Sequence, residues 1–236
     1  MIKRELYMNR IRPFIGGELI KVMTGIRRSG KSVMLELIKE ELAEAGVAPS
    51  QMISINFEDM RYSHLQTATA LHDEIIKRAE GIEGKAYLFF DEIQEVEGWE
   101  KCVNSLRVAL DCDIYITGSN AKLLSGELAT YIGGRYVEFV IYPFSFAEFL
   151  ELYHTIAPSD SIQQCFQKYL LAGGMPYLAN LRYEEEPSRQ YLTDLFNSVQ
   201  LKDIVKRNKI RDIDLLERII AYMTANVGTV FSASSL

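Results

Sequence analysis

The stretch that most constrains this chain is Leu19–Leu37, LIKVMTGIRRSGKSVMLEL. Apolar Leu19, Ile20, Val22 and Met23 lead into a loop, Gly25-Ile26-Arg27-Arg28-Ser29-Gly30-Lys31-Ser32. A helical pattern follows, apolar at Val33, Met34, Leu35, Leu37 and Ile38. Strand, glycine loop and helix in that order are the setting in which GxxxxGK(S/T) signifies a phosphate-binding P-loop. Gly25 and Gly30 permit backbone angles and close approaches that a side chain would block. The amides from Gly25 through Ile26, Arg27, Arg28, Ser29 and Gly30, continued into Lys31, Ser32 and Val33, are expected to converge on one anion at a helix N-terminus. The Lys31 ammonium would lie near the β- and γ-phosphates, and the Ser32 hydroxyl would ligate Mg²⁺. The competing reading, a chance glycine loop that ends in a helix cap, leaves the matched strand and helix unexplained. A nucleoside triphosphate is the expected ligand.

A second landmark lies downstream in Lys85-Ala-Tyr-Leu-Phe-Phe-Asp91-Glu92. The apolar run Ala86–Phe90 suits a central parallel strand buried on both faces. It ends in two carboxylates, which are costly to bury without partners. The pair therefore reads as a Walker B element, with Asp91 holding Mg²⁺ through its water shell and Glu92 activating the attacking water. The alternative is a strand that simply ends at an exposed rim.

Other strands are expected near 51–58, 112–117 and 136–142, with helices between them. Glu58 and Asp59 end the first of these, where they would either reach the metal or a partner or serve as a turn. Ser119 and Asn120 follow the second and would either touch the γ-phosphate or cap the next helix, predicted over 121–132. Arg135, beside Gly133-Gly134, would stabilise γ-phosphate charge in cis or from a neighbouring subunit, or else form a structural salt bridge. Residues 1–18 read as a short basic helix, with a solvated face favoured over a nucleotide contact. Trp99 reads as a packing anchor on a helical stripe.

From Phe146 onward only helical patterns appear, so the expected organisation is a core over 1–150 and a helical domain over 151–236. Ser232–Ser235 look like the cap of a further helix, which suggests that the helical part stops short of more sequence. The 236 residues are 48% hydrophobic and 25% charged, enough for a buried core. A net charge of −6 argues against general affinity for nucleic acid or anionic membrane. Three cysteines without CxxC spacing imply neither zinc nor disulfides. With no membrane-length apolar run and no signal core, a cytoplasmic protein is expected. One segment departs from the acidic balance: Lys202, Lys206, Arg207, Lys209 and Arg211 face only Asp203. It reads as a solvated flank or, in the sharper alternative, as a DNA contact.

GIRRSGKS, YLFFDEIQ followed closely by Trp99, ITGSNAKLL, GGRYVEF and YPFSFAEFL together resemble a prokaryotic branch of AAA+-like P-loop ATPases. The resemblance covers roughly residues 1–180. It implies an α/β fold, a parallel five-stranded sheet in the order 5-1-4-3-2, followed by a helical domain and then by a winged-helix region outside this sequence. Adjacent Asp91 and Glu92 agree with a strand inserted between the P-loop strand and theirs. The resemblance also implies an ATPase that uses ATP and Mg²⁺, with phosphate at Gly25–Lys31, magnesium at Ser32 and Asp91, and Glu92 as water activator. Ser119 or Asn120 would sense the γ-phosphate, and Arg135 would stabilise charge. No clear second arginine sensor is legible in the helical part. A nucleotide-gated switch with slow hydrolysis, acting on DNA or a protein, is the alternative function. Oligomeric state is open.

Overall fold

The computed structural model describes residues 2–118, 132–199, 205, 210 and 212–230. Five parallel strands form one sheet: β1 (Ile20–Thr24), β2 (Met52–Asn56), β3 (Ala86–Asp91), β4 (Cys112–Thr117) and β5 (Tyr136–Val140). Their spatial order is β2-β3-β4-β1-β5, the expected 5-1-4-3-2 read from the other edge. β1 pairs with β4 and β5, and β3 lies between β2 and β4. Every residue of β1 and β4 is buried, whereas edge strand β2 alternates, with Ile53 and Ile55 inward. That difference follows from position: central parallel strands are covered on both faces and edge strands are not.

Strand alternation sends side chains to two cores. Ile20, Val22, Leu88, Phe90, Ile114 and Ile116 face one, which is closed by α3 (Ala68–Ala79) and α4 (Trp99–Ala109). Trp99, 4% exposed, anchors that layer. Met23, Phe89, Tyr115 and Phe139 face the other, beneath α1 (Glu5–Ile11) and α2 (Lys31–Glu44). α2 ends as its glycine predicts. Gly46 adopts φ 92°, and the amides of Gly46 and Val47 donate to the carbonyls of Ala43 and Leu42, satisfying the last turn.

The N-terminal segment departs from the favoured solvated helix. Tyr7, Met8 and Ile11 of α1 are buried, and so is Arg4 just before it. The apolar face every third or fourth residue outweighs the basic composition.

The chain divides into two compact units, 1–183 and 184–236. The expected boundary at 150 differs from this division. α5 (Phe146–Tyr153) and α6 (Ile162–Ala172) share an aromatic cluster in which the Phe149 ring packs on Phe146, Tyr153, Tyr169 and Tyr183. Phe144 N–H also donates to the Gly174 carbonyl, and Tyr169 Oη to the Phe144 carbonyl. These contacts tie the segment to the exit of β5. The second unit contains α7 (Glu185–Val199) and α8 (Ile213–Ala225). The basic segment, apart from Val205 and Ile210, and Ser232–Ser235 lie outside the described residues.

Candidate functional site

The loop between β1 and α2 opens at the carboxyl ends of the strands, where open α/β sheets hold their ligands. Gly25 has φ 140°, and a Cβ there would come within 2.2 Å of the Ile141 carbonyl oxygen, so no side chain fits. Gly30 precedes α2 with φ 101°. Lys31 opens that helix and is 4% exposed; its ammonium donates to the carbonyls of Gly25 and Ile26, each at 3.3 Å. Ser32 and Val33 follow on the exposed first turn, while Ile26 and Arg28 lie on the outer side of the loop. The Ser29 hydroxyl is buried and finds no partner among the described residues.

Asp91 and Glu92 reach the same mouth. Asp91 ends β3 and is 6% exposed; its Oδ1 accepts from the Thr117 hydroxyl and its Oδ2 from Asn56 Nδ2 at 3.1 Å. Thr117 Oγ1 in turn accepts from the Glu92 amide at 3.0 Å. Glu92 sits in the left-handed region, φ 55°, a conformation sparsely populated by non-glycine residues. Its Oε2 accepts from Gln94 Nε2 at 2.5 Å, and its Oε1 lies 3.9 Å from Lys31 Nζ. Burial pushes the Lys31 ammonium below its ordinary pKa, against the opposing pull of Glu92 and then Asp91. A buried cation and two carboxylates are thus held close together at the strand ends.

The other candidates fall elsewhere. Ser119 and Asn120, with nearly all of the predicted helix after them, lie outside the described residues. Arg135 is exposed and donates to Asn104 Oδ1 at 3.1 Å, while its carbonyl accepts from Ile20 N–H at 3.0 Å. Tyr136 is the register partner of Ile20, so Arg135 stands where β1 begins. In a parallel sheet all strands start at one edge and end at the other, which puts five residues of β1, about 16 Å, between Arg135 and its own P-loop. Of the three readings of Arg135, this placement weighs against action in cis and leaves action on a neighbouring copy or a structural pairing. Asp59 accepts from the Arg61 amide and pairs with its guanidinium, a turn rather than a site group.

Four residues that touch this mouth were not selected from sequence: Arg4, Asn56, Gln94 and Thr117. Thr117 and Asn56 end the two strands flanking β3, and they carry a signal only once the strand order is known. Arg4 Nη1 donates to the Ser29 carbonyl at 3.0 Å, across 25 residues that no local pattern connects.

Residues 18–150 match the family model AAA_14, described as "AAA domain". The chain belongs to this AAA family. Residues 163–236 of the AAA protein also match a domain of unknown function, DUF8612. An uncharacterized protein of Haemophilus influenzae is 39% identical over 237 residues, spanning 100% of this chain and 58% of that protein. The uncharacterized protein MJ1544 of Methanocaldococcus jannaschii is 33% identical over 219 residues, 88% of this chain and 47% of that protein. The chain thus spans about half the length of the curated relatives it matches. Among solved structures, a variant of RuvB from Thermotoga maritima superposes with a TM-score of 0.50 at 14% identity, over 86% of this chain and 69% of its own. The likeness is one of fold: an AAA+ P-loop ATPase core.

Proposed function

We propose that this AAA protein is a magnesium-dependent ATPase that converts ATP and water to ADP and phosphate. The observation that carries the reading is the convergence of Lys31, Asp91 and Glu92 on one mouth, with Thr117 linking the Asp91 carboxylate to the Glu92 amide. The loop amides would take the β-phosphate, and Lys31 would bind the β- and γ-phosphates, exchanging its two loop carbonyls for phosphate oxygens. Glu92 would accept the proton of the attacking water. Its left-handed backbone costs about 1–3 kcal/mol, which makes sense where a carboxylate must be aimed. Gln94 would hold that carboxylate in place until water and phosphate are aligned.

Among the described residues no group of three or more His, Cys, Asp or Glu is placed to hold a metal. Magnesium beside a nucleotide does not need one, because one or two protein oxygens plus phosphates and waters complete its shell. Ser32 would ligate the ion directly and Asp91 through its water shell, and the partnerless Ser29 hydroxyl leaves the loop a polar group to satisfy. The ion would neutralise charge on the γ-phosphate as its bond to the bridging oxygen breaks.

ATP is preferred to GTP because the sequence contains no guanine-reading NKxD motif. Ser119 or Asn120 as γ-phosphate sensor, Arg135 acting on a neighbouring copy, and DNA contact through residues 201–211 remain parts of this proposal that rest on the sequence resemblance and on local charge. Among the described residues no helix is long and apolar enough to cross a membrane, and a cytoplasmic setting is proposed from the cysteine pattern. The test is steady-state phosphate release. Glu92→Gln should keep ATP affinity while turnover falls by about 10²- to 10⁴-fold, because only the transition state uses the base. Native-rate hydrolysis by Glu92→Gln would remove the assigned role. ATP binding with negligible turnover in the unaltered protein would favour the slow nucleotide-gated switch.

A further inference from the structure

We propose that Arg4 is a positioning residue for the phosphate loop, holding the Ser29–Gly30 peptide so that the Gly30 N–H faces the β-phosphate. The inference rests on the nucleotide reading above and names a group on which that reading depends.

Arg4 is 3% exposed, and its planar guanidinium spends its donors on three separate segments. Nη1 donates to the Ser29 carbonyl at 3.0 Å, and Nη2 to the Tyr142 carbonyl at 2.8 Å. Nε donates to Glu148 Oε1 at 2.7 Å, and Nη2 makes a longer contact to Oε2 at 3.4 Å. The guanidinium also packs over the rings of Tyr7 and Phe144, 4.6 Å and 5.1 Å from their centroids. Its backbone is held at φ 48°, outside the usual range for a non-glycine residue.

Peptide geometry supplies the consequence. The carbonyl of residue 29 and the amide of residue 30 belong to one planar trans unit and point in opposite directions. Fixing the Ser29 carbonyl on Arg4 therefore turns the Gly30 N–H away from Arg4, toward the inside of the loop. A Cβ on Gly30 would sit 3.4 Å from Arg4 Nη1, so the guanidinium lies directly against this peptide. Without it Gly30, which as a glycine tolerates several backbone states, leaves the peptide free to flip and present a carbonyl to the anion.

Glu148 is the far anchor. It is the third residue of α5, and its carboxylate accepts from the Ser145 amide at 2.8 Å while the Ser145 hydroxyl caps the Glu148 amide. Burial pushes the Glu148 carboxyl up, but hydrogen bonds from Arg4 and Ser145 outweigh it and leave the pKa below the ordinary value. The start of α5 and the phosphate loop thus share one guanidinium.

The test uses ADP and inorganic pyrophosphate, measured by titration calorimetry on the full chain after circular dichroism has confirmed folding. Arg4→Gln should weaken both ligands by about tenfold, the value of one charge-assisted hydrogen bond. Pyrophosphate carries no base, so an equal loss for both places the effect at the phosphates. Arg4→Lys keeps the charge but not the fork and should weaken both ligands as well. Three results would overturn the inference: native affinity in Arg4→Gln, full recovery in Arg4→Lys (charge alone), or loss for ADP with none for pyrophosphate. Should the Arg4 variants not fold, Glu148→Gln keeps the cap and the shape. It should shift the Gly30 amide resonance of the ligand-free protein and weaken pyrophosphate about threefold. An unmoved resonance would sink the proposal. If the unaltered protein binds neither ligand, the nucleotide reading itself fails, a result distinct from every one above.

Discussion

Lys21 and Lys31 are both buried lysines, one inside β1 and one just beyond the loop that leaves it, yet their surroundings differ. Lys21 is fully buried at the edge where strands begin. Its ammonium bonds to Asp113, reaches the Gly17 carbonyl at 3.2 Å and lies 5.0 Å from the Tyr115 ring centroid. Asp113 is completed by the Gly16 amide at 2.6 Å and the Tyr115 hydroxyl at 2.7 Å. Lys31, at the opposite edge, has two long carbonyl contacts and a carboxylate 3.9 Å away. In both, desolvation pushes the ammonium below its ordinary pKa. The lesson is that burial alone does not mark a site. A buried charge whose partners saturate it is architecture; one whose partners are few and long is available to a ligand.

The largest expected effect is at the saturated pair. Lys21→Met leaves Asp113 buried with a charge and no cation, and should cost about 3–5 kcal/mol of unfolding free energy in denaturant titration. Lys21→Met combined with Asp113→Leu should regain most of that loss. A single variant as stable as the unaltered chain would break the contrast from one side.

Lys31→Met should do the reverse. Nucleotide affinity should drop by about 1.5–3 kcal/mol, the range for hydrogen bonds to charged groups, while stability stays within about 1 kcal/mol. Calorimetry with ADP and a thermal melt would read the two effects separately. A collapse of stability with affinity intact would erase the distinction between the lysines.

The smallest effect sharpens the comparison through pH. Glu148, near the phosphate loop, is saturated like Asp113, and its pKa is depressed in the folded state. Its contribution is therefore present above the unfolded-state value, 4.5, and is lost as pH falls below 4.5 through the folded pKa. Glu148→Gln should be less stable than the unaltered protein near neutrality, and the gap should close as the solution is acidified through that window. A gap independent of pH would mean that the charge contributes nothing there.

Much of the site was legible because its parts are local. The loop Gly25–Ser32 is contiguous, and the apolar run into Asp91 and Glu92 announces a buried strand whose two acids need a reason. The five strand positions followed from apolar runs and turn residues, with the ends shorter by one or two residues at β2 and β5. The N-terminal helix was misjudged because Lys3, Arg4, Arg10 and Arg12 dominate its composition, whereas burial is decided by the spacing of Tyr7, Met8 and Ile11. Arg135 was open to its own loop, a neighbour's loop or a structural pairing, and strand direction places it at the edge opposite its own loop.

Sequence by itself determined the glycine loop Gly25–Ser32, the acidic strand end and the alternation of strands and helices, since each is written in residues a few positions apart. Tertiary structure alone decided which side chains complete the mouth. Thr117 and Asn56 reach Asp91 only because β2 and β4 flank β3 in register. Arg4 reaches Glu148 across 144 residues only because the N-terminus, the phosphate loop and the start of α5 pack together. Hydrogen bonds between distant segments leave no periodic trace in a chain, because each partner needs only to be polar and correctly placed, and placement is set by the packing of everything between them.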